Sequence, residues 1–218
     1  MRRLSVSTFV TLDGVMQAPG GPDEDPTGGF TEGGWQVGYW DDKMGEVMGA
    51  AMAEPKDLLL GRKTYEIFAA HWPFAGEDDP TAAAMNNATK YVASRTLTSL
   101  DWQNSVLLEG DVAQAIARLK ESDGREIQVV GSSNLVQTLL KNRLVDEFSI
   151  WIHPVVVGKG KRLFEEGAPP FGLELVDSQV STTGVFMNTY RPAGEIKKGS
   201  FALEEPTELE LERRENLE

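Results

Sequence analysis

The sequence predicts an α/β domain: a mainly parallel central sheet with helices on both faces and antiparallel strands added at its C-terminal edge. Two observations carry this expectation. From residue 57 to 144 short apolar runs alternate with segments of helical period, the order that builds a parallel sheet through crossover helices. After residue 147 the helical period is lost and strand-like segments follow one another across turns.

Taken in order, RLSVSTFVT (3–11) is rich in β-formers with partial alternation and stops at Asp13-Gly14, a first strand and its turn. The Gly/Pro-rich stretch QAPGGPDEDPTGG opens a loop over 17–34. Loops of that length cover a site or are disordered, and this one is read as a partly mobile lid. Between Asp41 and Ala53, Met44, Val47, Met48, Ala51 and Met52 recur at helical spacing behind an Asp41 or Asp42 cap, and Pro55 ends the helix. DLLLG (57–61) is a short buried strand, KTYEIFAAHW (63–72) a short helix, and KYVAS (90–94) and SVLLE (105–109) are further strands. Asp111 caps the helix VAQAIARLK, REIQVVG is the next strand, and SSNLVQTLLKNRL is a helix with Leu135, Val136, Leu139 and Leu140 as its stripe. EFSIWIHPVVVG, LELVDSQVST and GVFMNTYRP close the sheet, with Pro154 at a bulge or edge position. One domain over 1–191 is expected, followed by an acidic tail over 192–218 in which TELELE alternates well enough to pair as a strand.

Bulk properties exclude several function classes. The chain has 218 residues and a formal net charge of −13, so it lacks the basic footprint that nucleic acids and anionic membrane surfaces require. It contains no cysteine, which removes disulfides, thiolate metal sites and a cysteine nucleophile. The N-terminal apolar stretch is short and broken by Ser and Thr, unlike a signal peptide, and no run of 18 apolar residues occurs. A soluble, cytoplasmic protein is expected.

Against that acidic background, LLLGRKTYEIF places Arg62 and Lys63 at the start of a helix, where unpaired N–H groups already carry partial positive charge. Such a placement makes sense where an anion binds. Two more strand ends share the trait: Ala93 leads into Ser94-Arg95-Thr96, and Val130 into Gly131-Ser132-Ser133. In an open parallel sheet those ends lie along one edge, and ligands bind in the crevice there. Each turn alone has an ordinary explanation, as a tight turn at Gly61 or Gly131, a cap at Thr64 or Ser132, or a solvated Arg95. Three at one edge describe a cradle for dinucleotide phosphates. Neither G-x-G-x-x-G nor G-x-x-x-x-G-K-[ST] is present.

The segments TLDGV, LLLGRKTYEIF, ASRTL, QVVGSSNLVQTLL, LVDEFSIWIHPVVVGKGKRLF and NTYRP together resemble the dihydrofolate reductase-like superfamily. Within it they are similar to the C-terminal reductase domain of the bifunctional riboflavin-biosynthesis deaminase-reductase, and the likeness covers residues 1 to about 191. The resemblance implies a three-layer dihydrofolate reductase-like fold, an NADPH cofactor and a homodimer. It implies that Gly61, Arg62 and Lys63 meet cofactor phosphates, with Thr64 capping the helix beneath. Ser94, Arg95 and Thr96 match the turn at the 2′-phosphoadenosine end, and Gly131, Ser132 and Ser133 the turn beside the pyrophosphate. Dihydrofolate reductases proper have two successive glycines where this chain has Gly131-Ser132.

Hydride reduction of a C=N or carbonyl group also needs a proton donor or an ordered water, and a group that orients the heterocycle. The acid that dihydrofolate reductases carry on the first helix is not matched residue by residue. Asp41, on the side of the apolar stripe, and Asp13, at the end of the first strand, are the candidate catalytic acids, each with a helix-cap or turn role as the alternative. His71 and His153 are far apart with no carboxylate motif, so no metal site is expected, and each is read as a surface or satisfied histidine. The G-K-G of PVVVGKGKRLF is read as a hairpin turn with solvated charges. A chain without cysteine cannot carry the deaminase zinc motif, which implies a stand-alone reductase. The leading expectation is an NADPH-dependent reductase of a small heterocycle, of the aminouracil or pteridine kind. The alternative is a non-catalytic NADPH-binding or interaction module that kept the cradle.

Overall fold

A computed structural model describes residues 1–76 and 78–217. Eight strands form one sheet: β1 (Leu4–Thr11), β2 (Asp57–Gly61), β3 (Lys90–Ala93), β4 (Ser105–Leu107), β5 (Ile127–Val130), β6 (Glu147–His153), β7 (Leu173–Val180) and β8 (Phe186–Pro192). Their order is β4-β3-β2-β5-β1-β6-β8-β7. The first six are mutually parallel, while β8 runs antiparallel to both β6 and β7. Among the described residues six α-helices accompany them: α1 (Asp42–Met52), α2 (Arg62–Ala69), α3 (Pro80–Asn87), α4 (Val112–Glu121), α5 (Ser133–Lys141) and α6 (Glu208–Glu215).

The two faces of the sheet differ in a way that creates the site. On one face Leu4, Val6, Leu59, Val129 and Phe148 pack against Ile116 of α4 and the stripe Leu135, Val136, Leu139 and Leu140 of α5. Along β2, β5, β1 and β6 that face is covered, and burying each such side chain is worth roughly 1.5–3 kcal/mol. The opposite face is covered only in two places. Leu58, Leu60 and Val92 pack with Tyr65 of α2 and with Trp102, and Trp151 and Met187 pack with Met44 of α1. Between these two clusters the sheet lies open.

Three elements depart from the sequence expectations. The strand expected over EFSIWIHPVVVG stops at His153, because Pro154 has no N–H to continue the ladder. TELELE forms part of α6 and does not pair as a strand. Thr207 caps it through the Glu210 N–H, and Glu210 receives Arg213 Nε at 2.6 Å and Arg214 Nε at 2.8 Å, contacts that helical spacing brings together. Residue 218, the end of the expected tail, lies outside the described residues. The sequence reading also passes over α3, which Asp79 caps through the N–H groups of Thr81 and Ala82, with Pro80 at its first position.

The loop after β1 is held from within. Buried Gln17 donates from Nε2 to the carbonyls of Asp25 and Thr27, both at 2.8 Å, and its Oε1 accepts from Lys161 N at 3.1 Å. Phe30 packs with Val15 and Ala18 in a small core of its own. The charges of the G-K-G segment secure this arrangement: Lys161 pairs with Asp25, and Arg162 with Asp13. Gly160 is required there, since a Cβ would lie 2.5 Å from Val15 Cγ1. Among the described residues no helix is long and apolar enough to cross a membrane.

Candidate active site

β3, β2 and β5 are neighbours, so their C-terminal ends open side by side. Gly61 ends β2 and Arg62, Lys63 and Thr64 follow it, Ser94, Arg95 and Thr96 follow β3, and Gly131, Ser132 and Ser133 follow β5. All ten line one cavity of about 1430 Å³.

Helix capping singles out this rim. Asp41, Asp79, Asp111 and Thr207 cap α1, α3, α4 and α6 with their side chains, whereas α2 and α5 have no side-chain cap. Both uncapped helices start at the cavity, so their first N–H groups and positive dipole ends are available to an anion. The turn that positions them is tied by three hydrogen bonds. Ser132 Oγ accepts from Gly61 N at 3.0 Å and donates to the Val130 carbonyl, while Thr64 Oγ1 accepts from Ser132 N at 3.1 Å. Thr64 thus serves the start of α5 from α2. Gly131 and Ser132 both have positive φ, +56° and +60°. Ser132 adopts the left-handed conformation that a second glycine would take freely, at a cost of order 1 kcal/mol that these bonds offset.

The three basic residues stand differently. Arg95 is exposed and has no acidic partner among the described residues, and Arg62 Nη1 is 3.4 Å from Glu66 one helical turn on. Lys63 Nζ donates to Thr27 Oγ1 at 2.9 Å and lies 3.7 Å from Asp25, joining α2 to the loop. Ser94 Oγ accepts from the N–H groups of Thr96 and Leu97, closing the turn that presents Arg95.

Neither sequence-predicted acid lines the cavity. Asp41 caps α1 through Met44 N and accepts from Thr182 N and Oγ1 at 2.7 and 2.6 Å; the bonds from Thr182, then Met44, hold its carboxyl below the usual range. Asp13 clamps the 157–162 segment, accepting from Thr11 Oγ1, Gly158 N and Val157 N. Burial pushes its carboxyl up, but those bonds outweigh burial and hold it low. Both are carboxylates occupied by structural donors. Glu24, a cavity residue that sequence reasoning missed, is the contrast. Its Oε2 accepts from Gly20 N at 2.6 Å, and burial pushes its carboxyl above the usual range despite that bond.

His153 is not at the surface. It is fully buried against Phe9, Trp35 and Tyr39, Nδ1 lies 3.1 Å from the Trp151 carbonyl, Nε2 has no hydrogen-bond partner among the described residues, and burial keeps the ring below its ordinary pKa. His71 is exposed at the cavity edge. Among the described residues no group of three or more His, Asp or Glu side chains is placed to hold a metal ion.

The cavity floor is the uncovered part of the sheet, and Ser7, Gln128, Ser149 and Thr189 form it. Sequence reasoning missed these residues as well. Their signal was the alternation in LSVSTFV, EIQVV and EFSIW, since central parallel strands covered on both faces read as continuous apolar runs.

Fold and site together define an α/β domain of the dihydrofolate reductase-like fold with an anion-receptive crevice at the C-terminal ends of its parallel strands. More narrowly, the chain belongs to the RibD C-terminal domain family, whose model matches residues 2–187. It is 29% identical over 197 residues to the uncharacterized protein YyaP of Bacillus subtilis (strain 168), covering 87% of this chain and 94% of that one. A solved structure from Shewanella sp. PV-4, provisionally named a riboflavin biosynthesis protein, superposes with a TM-score of 0.61 at 21% identity, covering 87% of this chain and 98% of that one. Dihydrofolate reductase from Enterococcus faecalis, solved with NADP(H), superposes with a TM-score of 0.54 at 15% identity, covering 88% and 96%.

Proposed function

We propose that the protein is an NADPH-dependent reductase acting on a small heterocycle of the aminouracil or pteridine kind, similar to 5-amino-6-(5-phosphoribosylamino)uracil reductase of riboflavin biosynthesis. The observation that carries this reading is the pair of uncapped helices, α2 and α5, that open onto one cavity beside Arg62 and Arg95. The residues present fit a dinucleotide. Gly131, at φ +56°, keeps the turn narrow, the first N–H groups of α5 suit a pyrophosphate, and the exposed Arg95 guanidinium with Ser94 and Thr96 suits a 2′-phosphate. When bound, the dihydronicotinamide supplies a hydride. This chain supplies the proton: Glu24, a half-buried cavity residue whose carboxyl burial pushes above the usual range, is the donor, while bonds from structural donors hold Asp13 and Asp41 below it. The chain works as a homodimer, a reading supported by the long exposed edge strand β7.

Oxidation of NADPH by an aminouracil and by a dihydropterin, each with and without a sugar chain, tests the activity. Turnover of at least one is expected. A chain that binds NADPH and oxidises it with none would favour the non-catalytic module.

A further inference from the structure

The loop that follows β1 buries two glutamines, and their amides fare differently. Gln17 commits its amide to the protein, with Nε2 on the carbonyls of Asp25 and Thr27 and Oε1 on Lys161 N. Gln36 is only 9% exposed and lines the cavity. Its side chain makes no hydrogen bond to another protein group among the described residues, and it does not cap the 3-10 turn Val37–Tyr39 that it precedes. The side-chain polar atoms sealed inside the described residues without a partner are Trp72 Nε1, Ser105 Oγ and His153 Nε2. The Gln36 amide is not among them, so its polar end meets the cavity. Burying an amide without a protein partner is costly, and a ligand that pairs with it removes the cost.

Gln36 is positioned by its backbone, which leaves the amide free. Gly34 N donates to the Ala18 carbonyl at 2.8 Å and Gln36 N to the Pro19 carbonyl at 3.2 Å. Gly33 packs so closely that a Cβ would lie 2.5 Å from the Gly21 carbonyl oxygen, so the stretches 18–22 and 33–36 are pressed together. Glu24 is tied to the same stretch, since its Oε2 accepts from Gly20 N at 2.6 Å. Gln36 and Glu24 are thereby anchored to consecutive residues, Pro19 and Gly20, and both line the cavity. Trp40, four residues beyond Gln36, stacks on Trp151 of β6 with ring centroids 6.3 Å apart and planes at 24°, and both rings line the cavity as well. One cavity thus meets a neutral donor and acceptor, a carboxyl and an aromatic wall.

A primary amide carries a donor and an acceptor side by side, the complement of a ligand edge in which C=O stands next to N–H. A cation or a carboxylate in this position would select a charged ligand; a glutamine selects a neutral one that offers both groups. We propose that Gln36 is a specificity-determining residue whose amide pairs with a lactam edge, C=O beside N–H, of the substrate ring. This rests on the reductase reading for the ring being a substrate; the unpartnered amide in the cavity does not depend on it.

The test is isothermal titration calorimetry with 5,6-diaminouracil, whose ring carries lactam N–H groups, and with 5,6-diamino-1,3-dimethyluracil, in which both are methylated, with NADPH titrated separately. Wild type is compared with Gln36→Met, which removes the amide with little change of volume. Wild type is expected to bind the N–H compound about tenfold more tightly than the dimethyl one, and Gln36→Met to lose about tenfold for the N–H compound, and with it the preference, while NADPH affinity is unaffected. No binding of either uracil, or equal binding of the two, by the wild type overturns the assignment without recourse to a variant. An unchanged preference in Gln36→Met overturns it too, as does a tenfold loss for NADPH in its place, which would put the amide on the nicotinamide carboxamide. If the uracils behave as expected and NADPH does not bind, Gln36 keeps its role and the reductase reading alone fails. If NADPH binds and is oxidised by an aminouracil while Gln36→Met keeps the preference, Gln36 alone fails.

Discussion

Glu24 sits in the cavity with one carboxylate oxygen held by Gly20 and its charge disfavoured by burial, and the Asp25 charge beside it pushes the same way. Asp25 is the opposite case: burial alone would raise its carboxyl, but Lys161 and Thr27 hold it low. Adjacent carboxyls driven apart in this way, with Glu24 the one that is raised, support the proposed role of Glu24 as the acid. A protonated donor is lost as pH rises through its raised pKa, so kcat should fall on the alkaline side of the ordinary glutamate range. Glu24→Gln should lower kcat by about 10²- to 10⁴-fold and abolish that pH limb while NADPH affinity is kept. Retained activity with an unchanged pH profile would remove Glu24 from the chemistry. No motif pointed to it, because its environment comes from the folding of the loop, whereas Asp13 and Asp41 were visible as an Asp-Gly turn and a helix start. Lys90 carries a second pH signal. It is fully buried, donates to the Met85 and Asn86 carbonyls at the end of α3, lies 4.2 Å from the Trp102 ring centroid, and burial lowers its pKa to about 8. Between about 8 and the ordinary 10.5, the unfolded chain binds a proton that the folded chain has released, so this group makes stability rise with pH across that window. The stability of wild type relative to Lys90→Met, followed by chemical denaturation, should grow from pH 8 upward; a constant difference would contradict the assignment.

Among the elements, the two sheet edges are unequal. β4 has three residues, but β7 has eight, nearly all exposed, with Leu175, Val176 and Val180 among its exposed apolar side chains. Long apolar edges invite pairing, and the irregularity between Leu175 and Asp177 only partly blunts this one. Light scattering should report a dimer for the wild type and a monomer for Val176→Lys/Val180→Lys; a monomeric wild type would refute pairing along β7. Strands and helices between 57 and 144 were legible because the hydrophobic period changes at each boundary. Two helices were less so. α3 has little apolar pattern and announces itself only through Asp79-Pro80, and α6 alternates like a strand while its Glu210 pairs with Arg213 and Arg214 at helical spacing.

For the whole molecule, charge is distributed by place more than by amount. A chain of net charge −13 brings Arg62, Lys63 and Arg95 together on one rim of the cavity, the placement on which the proposed anion site rests. The rim was legible in the sequence, since cations at successive strand ends contradict the overall composition. The polar floor was not, because it depends on which face the helices leave bare, and strand register decides that. The most direct test of the account is a tryptophan-fluorescence titration of the wild type and of Arg62→Ala/Arg95→Ala with NADPH and with NADH. The wild type should prefer NADPH, and the double variant should bind it about tenfold or more weakly and lose the preference. Equal affinity of the wild type for the two nucleotides, or an unchanged preference in the variant, would contradict the phosphate cradle and the function built on it.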